Sequence, residues 1–191
     1  MKIEEEGKEM DDSKKNWALP FSLTGLIILL DQATKAFIVS RWPRQGSVIK
    51  DVFGNDFLLL YHVRNKAIAF SLGDGIPHPY RMVLFIIVPI VVLVFLIWYY
   101  FNTTDFNRIQ RWAIAGIIGG GLGNIIDRIF RNDGVVDFVS VKFYGLFGLQ
   151  RWPTFNVADA SVVICCFILL SSLLISPRQH NSKVERRFNN E

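Results

Sequence analysis

Two aspartates in the last third of the chain could act together as an acid and a base. Asp137 follows two valines, and Asp159 lies where a long apolar run begins. Two carboxyl groups that share one site cannot both ionise easily, so one stays protonated beside the other, which serves as a base. Such a pair can activate a water molecule held between the two groups. Because a loop can bring one carboxyl group against the other, we predict that Asp137 and Asp159 form an aspartyl protease dyad.

Other ionisable groups lie within or beside apolar runs, where the cost of burying them favours a functional role. Asp31 and Lys35 are at i and i+4, so they share one helical face and can pair. We favour a structural ion pair for them over direct catalysis. Asn124, Asp127 and Arg128 follow at i, i+3 and i+4 and also share a face. Asp127 and Arg128 could equally be a simple pair of polar groups at a helix end.

The start of the last apolar run has two interpretations. Asn156 and Asp159 lie about one turn apart, so they could be the N-cap and the first-turn acid of a helix. Asp159 is also a member of the predicted dyad. The sequence leaves both roles open.

The apolar residues around these groups are unevenly distributed. They make up 51% of the 191 residues and gather into four runs between polar loops. This distribution favours a polytopic membrane protein over a soluble domain, and each run approaches the ~20 residues that a helix needs to cross the hydrocarbon core. We therefore predict an all-α polytopic membrane protein with four transmembrane helices in a single membrane domain, residues 17–176. The predicted spans are about 17–38, 82–101, 112–130 and 156–175.

Two long loops, residues 41–80 and 131–155, join the spans in pairs. Residues 57–63 in the first loop are aromatic and aliphatic and too few to span a membrane as a helix, so we predict a strand there. A small β-containing region therefore accompanies the four helices. The polar ends, 1–16 and 177–191, are predicted to be disordered tails.

The order of the spans brings the polar groups to one side of the membrane. Four spans place both termini on one side, so both long loops lie on the other. Helix caps acting independently would have no reason to avoid the terminal side. Lysines and arginines divide almost evenly between the sides, so the positive-inside rule gives no orientation. The residues that meet on the loop side are Asp31, Lys35, Asn124, Asp127, Arg128, Asn156 and Asp159.

The composition argues against several other kinds of protein or site. A net charge of +4 from loops and tails does not form the basic stripe of a nucleic-acid binder, so no nucleic-acid partner is expected. His62, His78 and His180 are scattered without partners at ligand spacing, so we predict no metal site and no cofactor. Cys165 and Cys166 are adjacent in the last run and are interpreted as small packing residues.

Five segments, in chain order, resemble the motifs of signal peptidase II, the lipoprotein signal peptidase family. Each segment alone is weakly specific, but the five together are highly specific and cover most of the chain from the first span to the fourth. They are DQATK at 31–35, NKAIAFS at 65–71, GNIIDR at 123–128, VVDF at 135–138 and FNVAD at 155–159.

The resemblance implies an enzyme of the bacterial cytoplasmic membrane that cuts lipid-modified prolipoproteins just before their lipid-modified cysteine. Its active site would face away from the cytoplasm, so the β-containing region and both long loops would be extracytoplasmic and both tails cytoplasmic. Prolipoproteins and membrane lipids are the implied partners.

The same resemblance assigns roles to individual residues. Asp137 and Asp159 match the catalytic pair. Asn65, Asn124, Arg128 and Asn156 match residues that bind or orient substrate, while Asp31, Lys35 and Asp127 match residues that support the site. Two features depart from the family pattern. Ala67 replaces a usual glycine, and the segment between the two catalytic aspartates is somewhat long.

Two other functions are consistent with the residues alone. In a small transporter or ion carrier, Asp31, Asp127 and Asp159 would relay protons or cations. A carrier is expected to hold its acids near mid-bilayer, whereas these lie near the ends of the predicted spans. A structural assembly partner would have no individually essential acid. Cleavage of a lipid-modified precursor peptide, and its loss on substitution of Asp137 or Asp159, distinguishes the three.

Overall fold

Four long helices and a small sheet make up the fold. The computed structural model describes residues 17–65, 80, 82–131 and 133–175. The helices are α1, Phe21–Arg41; α2, Val88–Asn102; α3, Arg108–Phe130; and α4, Val157–Ile175. Each is long and apolar enough to cross a membrane, if α2 is taken with the π-helical turn Val83–Ile87 before it. The strands are β1, Val48–Asp51; β2, Leu58–Asn65; and β3, Val135–Val141.

Helix α3 is the central helix of the bundle. It packs against the other three helices and is more than half buried, whereas the others expose most of their surface. Its glycines lie where neighbours approach most closely. A Cβ atom on Gly119 would meet the backbone of Thr24 in α1 at 3.1 Å, and one on Gly120 would meet a methyl group of Val162 in α4 at 2.6 Å. Small residues let membrane helices approach closely, and this fixes α1 and α4 against α3.

Two helices begin at other positions than the sequence predicts. Helix α3 starts at Arg108 rather than near residue 112, because Asn107 and Gln110 form a capping box in which each side chain accepts from the other's backbone N–H. Helix α1 covers Phe21–Arg41 rather than 17–38, so Asp31 is its central residue and not a residue near its end.

The sheet is antiparallel, in the order β1-β2-β3. Strand β2 contains most of the segment 57–63 that was predicted as a strand. Strands β1 and β3 were not predicted. A core of Ile38, Val136 and Phe138 packs β3 against the C-terminal turns of α1. The sheet is therefore fixed directly to the helical bundle.

The segment between β3 and α4 folds back on itself. The turn Leu146–Gly148 reverses the chain, and Phe155 then pairs with Val139 through hydrogen bonds of 2.9 and 3.0 Å. This pairing returns the chain to the side of β3 just before α4 begins. The predicted tails, residues 1–16 and 177–191, and Ala67 lie outside the described residues.

Candidate active site

Asp137 lies near the middle of β3 and is almost fully buried. Its two carboxyl oxygens accept hydrogen bonds from two side-chain amides. Asn156 Nδ2 donates to Oδ1 at 2.7 Å, and Asn65 Nδ2 donates to Oδ2 at 2.9 Å. Asn156 lies just before α4, and Asn65 is the last residue of β2. This carboxyl group is therefore positioned both by the segment that joins β3 to α4 and by the pairing of β2 with β3.

Asp159 lies in the first turn of α4, where it serves as part of the helix cap. The backbone N–H of Asn156 donates to Asp159 Oδ2 at 3.1 Å, and the Asp159 N–H donates to Asn156 Oδ1 at 2.9 Å. The other carboxyl oxygen, Oδ1, accepts from Asn124 Nδ2 at 2.7 Å. The capping interpretation is therefore correct, and it is compatible with a role in the dyad because the cap uses only one oxygen.

A chain of side-chain amides joins the two carboxyl groups. Asn156 Nδ2 donates to Asp137 and also lies 3.1 Å from Asn124 Oδ1, while Asn124 Nδ2 donates to Asp159. The structure thus places Asp137 and Asp159 at the two ends of one short hydrogen-bonded path. The carboxyl groups also interact electrostatically, since the charge of Asp159 acts on Asp137.

The surroundings of Asp137 allow part of it to stay protonated near neutral pH. Burial raises the pKa of Asp137, and the negative charge of Asp159 raises it further, to about 7. The amides of Asn65 and Asn156 and the charge of Lys35 act in the opposite direction but are outweighed. An acid with this pKa can donate a proton at neutral pH, as a dyad requires.

A cluster of buried ion pairs lies next to the dyad and supports it. Lys35 Nζ lies 2.8 Å from Asp31 Oδ2, 3.2 Å from Asp127 Oδ2 and 3.1 Å from Asn124 Oδ1. The ammonium group has three donors, and these three acceptors occupy them. Since Asn124 contacts both Lys35 and Asp159, the cluster fixes the orientation of the amide that binds Asp159.

The same carboxylates also anchor the backbone around the dyad. Asp31 Oδ1 accepts from the Ala158 N–H at 3.0 Å, next to Asp159, and Asp127 Oδ2 accepts from the Val136 N–H at 3.0 Å, next to Asp137. The two buried aspartates therefore each fix the main chain beside one member of the dyad. The pairing of Asp31 and Lys35 expected from their spacing is present, and it serves this larger network.

Two side chains in this cluster were not identified as site residues from the sequence. Gln32 Nε2 lies 3.1 Å from Asp31, from Asp127 and from the Gly123 carbonyl oxygen. Arg131 Nε donates to Asp127 Oδ1 at 3.0 Å. The spacing of Asp127 and Arg131, at i and i+4, was a signal that could have identified this ion pair.

Arg128 adds a positive charge near the dyad. It is half-buried on α3, and its guanidinium interacts electrostatically with Asp159, Asp137 and Asp127. The predicted site residues therefore meet at one end of the bundle. Within the described ranges, no group of three or more His, Cys, Asp or Glu residues could hold a metal ion.

Comparison with known proteins gives a match over most of the chain. Residues 23–175 match the model of a family described as signal peptidase (SPase) II. A lipoprotein signal peptidase of Treponema pallidum (strain Nichols) is 40% identical over 89% of this chain and 90% of that protein. A lipoprotein signal peptidase of Treponema denticola is 44% identical over 86% of this chain and 92% of that protein.

Solved structures share the fold. Two structures described as a bacterial membrane enzyme superpose on the chain with TM-scores of 0.70 and 0.68. The first is 26% identical in sequence and covers 86% of this chain and 93% of its own, and the second is 27% identical and covers 84% and 95%.

Proposed function

The chain belongs to the signal peptidase II family, and from that premise we propose that Asp137 and Asp159 are its catalytic pair. Proteins of this family are proteases that remove the signal peptides of lipoproteins, and this is the activity of the chain. The observation that carries the assignment is the path of amide hydrogen bonds from Asp137 through Asn156 and Asn124 to Asp159.

In the proposed reaction the pair starts with one proton, on Asp137. The carboxylate of Asp159 takes a proton from a water molecule as the water oxygen bonds to the carbonyl carbon of the substrate. Asp137 gives its proton to the carbonyl oxygen, so a neutral tetrahedral diol forms. When the diol collapses, one hydroxyl returns a proton to Asp137 and the C–N bond breaks. Asp159 then protonates the leaving nitrogen, and the pair regains its starting state.

The polar side chains around the pair orient these groups and the substrate. Asn65, Asn124 and Asn156 are proposed to hold the two carboxyl groups in their reactive orientation, because each donates to one of them. Arg128 carries a positive charge close to both aspartates. It is proposed to bind polar groups of the substrate and to stabilise negative charge that develops during the reaction.

The buried cluster of Asp31, Lys35 and Asp127 is proposed to support the site without contacting substrate. All three side chains are fully buried, and their hydrogen bonds end on Asn124 and on the main chain beside each catalytic aspartate. Such supporting contacts hold catalytic groups in the productive geometry.

The substrate is proposed to be a prolipoprotein that already carries its lipid, cut just before the diacylglyceryl-cysteine. A membrane-spanning enzyme suits this substrate, since the lipid chains of the substrate and the surrounding membrane lipids are both apolar. The chain is proposed to lie in the bacterial cytoplasmic membrane with Asp137, Asp159 and the sheet near the extracytoplasmic face, and with its two ends in the cytoplasm.

Cleavage of a lipid-modified precursor peptide by the purified protein tests the catalytic pair. Asp137→Asn and Asp159→Asn keep the size of each side chain but remove its acid–base function. We expect each to lower kcat by about 10²-fold or more, the contribution typical of a general acid or base. Asp105→Asn makes the same chemical change at an exposed residue between α2 and α3 and should leave kcat unchanged.

Full cleavage by both dyad variants would reject the proposed pair, because other residues would then have to supply the acid and the base.

A further inference from the structure

Strand β2 contains an irregularity directly opposite the catalytic strand. Leu60 pairs with Val139 and Val63 pairs with Asp137, so Tyr61 and His62 together oppose the single residue Phe138. Two residues facing one is the pattern of a β-bulge, and bulges next to active sites re-aim side chains.

The bulge decides which β2 side chain faces Asp137. Partners across an antiparallel pair lie on the same face of the sheet, and a shift of one residue moves a side chain to the other face. With the bulge, Asn65 pairs with Val135 and therefore shares the face of Asp137, to which it donates at 2.9 Å. A regular ladder continued from Leu60 would pair Arg64 with Val135, which would bring a cation to this face and turn the amide of Asn65 away.

His62 fixes the bulge to the end of α1. Its ring is buried, and Nδ1 lies 2.6 Å from the carbonyl oxygen of Trp42, the residue that caps α1. Because a carbonyl oxygen can only accept, Nδ1 carries the ring proton. The His62 carbonyl oxygen in turn accepts from the Gly46 N–H at 2.8 Å, and Trp42 packs against the core cluster of Ile38, Val136 and Phe138.

We infer that His62 is a positioning residue for the cleavage reaction, because it holds the bulge that directs the Asn65 amide to Asp137. This inference rests on the proposed catalytic pair. In this arrangement His62 acts on Asp137 only through Asn65. The contacts that carry it are the His62–Trp42 hydrogen bond, the two-to-one pairing opposite Phe138 and the Asn65–Asp137 hydrogen bond.

The test compares substitutions of His62 with and without a donor at the position of Nδ1. His62→Asn keeps an N–H there, while His62→Gln moves the amide one carbon further and His62→Phe has no donor. We expect His62→Asn to resemble the wild type. His62→Phe and His62→Gln should lower kcat by about tenfold or more with little change in KM, because the hydrogen bond that orients Asp137 is lost.

The pH profile separates positioning from a merely structural role. The amide of Asn65 favours the ionised form of Asp137, so its loss should move the alkaline limb of the kcat profile to higher pH. His62→Phe and Asn65→Ala should both show this shift. The double variant should show no further shift, because both substitutions interrupt the same set of contacts from His62 through Asn65 to Asp137. The charged groups that act on Asp137, which are Asp159, Lys35 and Arg128, are unchanged in every variant.

Leu59→Ala is the matched control, because it removes a buried side chain of β2 outside the bulge. It should lower thermal stability without moving the pH profile. A wild-type profile in folded His62→Phe or His62→Gln, or additive effects with Asn65→Ala, would overturn the inference. If His62→Phe does not fold, the comparison of the Asn and Gln variants decides by the same measurements. Cleavage that survives in Asp137→Asn would instead reject the catalytic pair on which the inference rests.

Discussion

At the scale of single residues, the dyad is surrounded by neutral donors at hydrogen-bonding distance. Among the described residues, side-chain amides of Asn65 and Asn156 contact Asp137, while Lys35 is occupied by Asp31 and Asp127. A lysine or arginine bonded directly to Asp137 would favour its ionised form and remove the proton that the proposed reaction needs. The amides can orient the carboxyl group while burial keeps that proton available.

The pKa of Asp137, raised to about 7 by burial and by the charge of Asp159, predicts how activity depends on pH. As the pH rises through about 7, Asp137 loses its proton and the pair can no longer protonate the substrate carbonyl. We therefore expect kcat to fall on the alkaline side with an apparent pKa of about 7. The check is kcat for a lipid-modified precursor peptide at a series of pH values and constant ionic strength. A flat profile to well above neutral pH would contradict the assignment.

The pH dependence of thermal stability tests the same pKa of Asp137 independently of catalysis. A raised folded-state pKa means that the stability contributed by protonated Asp137 is fully present below its ordinary value of 3.8 and is lost as the pH rises through about 7. Asp137→Asn has no charge to bury. Its stability relative to the wild type should increase between acidic and alkaline pH, by on the order of 4 kcal/mol at most. Thermal unfolding of both proteins in the same detergent measures the difference.

The residues that meet at the proposed site could be selected from the sequence because their types and order match family motifs. Gln32, Arg131 and His62 were not recognised in these roles. The spacing of Arg131 and Asp127, at i and i+4, could have indicated their ion pair. The contacts of Gln32 and His62 depend on backbone carbonyls and on side chains far along the chain, which no local spacing reveals. The main-chain N–H donors of Ala158 and Val136 could not be predicted either. Every residue except proline carries an N–H, so the sequence does not indicate which of them bind a carboxylate.

At the scale of elements, the face that α3 presents to α4 sets the position of Asp159. Ala158 packs directly against Gly120, and a Cβ atom on Gly120 would collide with the Ala158 carbonyl oxygen. Gly123 faces Ala158 and Asp31 in the same way, with a Cβ atom 2.8 Å from Asp31 Oδ2. The first turn of α4 can therefore lie where it does only because α3 has no side chains at these positions.

Gly120→Ala should damage both stability and catalysis. The added methyl group forces the first turn of α4 away from α3, and overpacking of this kind typically costs about 1–3 kcal/mol. Because Asp159 is in that turn, we also expect kcat to fall by up to about 10²-fold, as for catalytic groups displaced by about 1 Å. Thermal unfolding and peptide cleavage measure the two effects.

Gly25→Ala is the control for this substitution. Gly25 lies in α1 and is exposed, and a Cβ atom there would meet nothing within 4 Å. Alanine is the better helix former by about 0.5–1 kcal/mol, so the control should keep full activity and be as stable as the wild type or slightly more so. Equal effects at the two glycines would show that close packing at Gly120 is not what matters.

The elements were less predictable than the residues. Apolar runs of about the right length predicted four helices, since crossing a membrane requires little beyond length and hydrophobicity. Strand β3 was not predicted, because Asp137 interrupts its apolar run and both of its faces are buried around that aspartate, which removes the alternation typical of a strand. Its place in the sheet follows from pairing with β2, a contact between distant parts of the chain.

At the scale of the whole molecule, the two ends of the bundle differ in chemistry. One end holds the dyad and the sheet, and the ion cluster lies next to the dyad on the inner side, reaching to the middle of α1. At the other end the buried guanidinium of Arg111 lies 4.0 Å from the ring of Trp17 and donates to the Thr103 carbonyl oxygen at 3.1 Å. This contact joins the segment before α1 to the connection between α2 and α3. Among the described residues, Arg111 thus stabilises this end through cation–π packing and carbonyl acceptors.

Orientation is the property of the whole molecule that charge could not predict, because basic residues divide almost evenly between the two sides. Single cysteines can measure it in a chain whose own Cys165 and Cys166 are replaced by alanine. Lys50→Cys marks the sheet, and Thr104→Cys marks the opposite end between α2 and α3. Both positions are exposed, so a thiol reagent can reach either one from the side on which it lies.

We expect a membrane-impermeant maleimide to label position 50 but not position 104 in spheroplasts, and to label both after lysis. This follows if the dyad faces the side to which prolipoproteins are exported, because the sheet and the dyad share one end of the bundle. Retained cleavage of a precursor peptide in each cysteine variant verifies the fold. Labelling of position 104 alone would place the dyad at the cytoplasmic face, and the proposed orientation would then be wrong even if both aspartates prove essential.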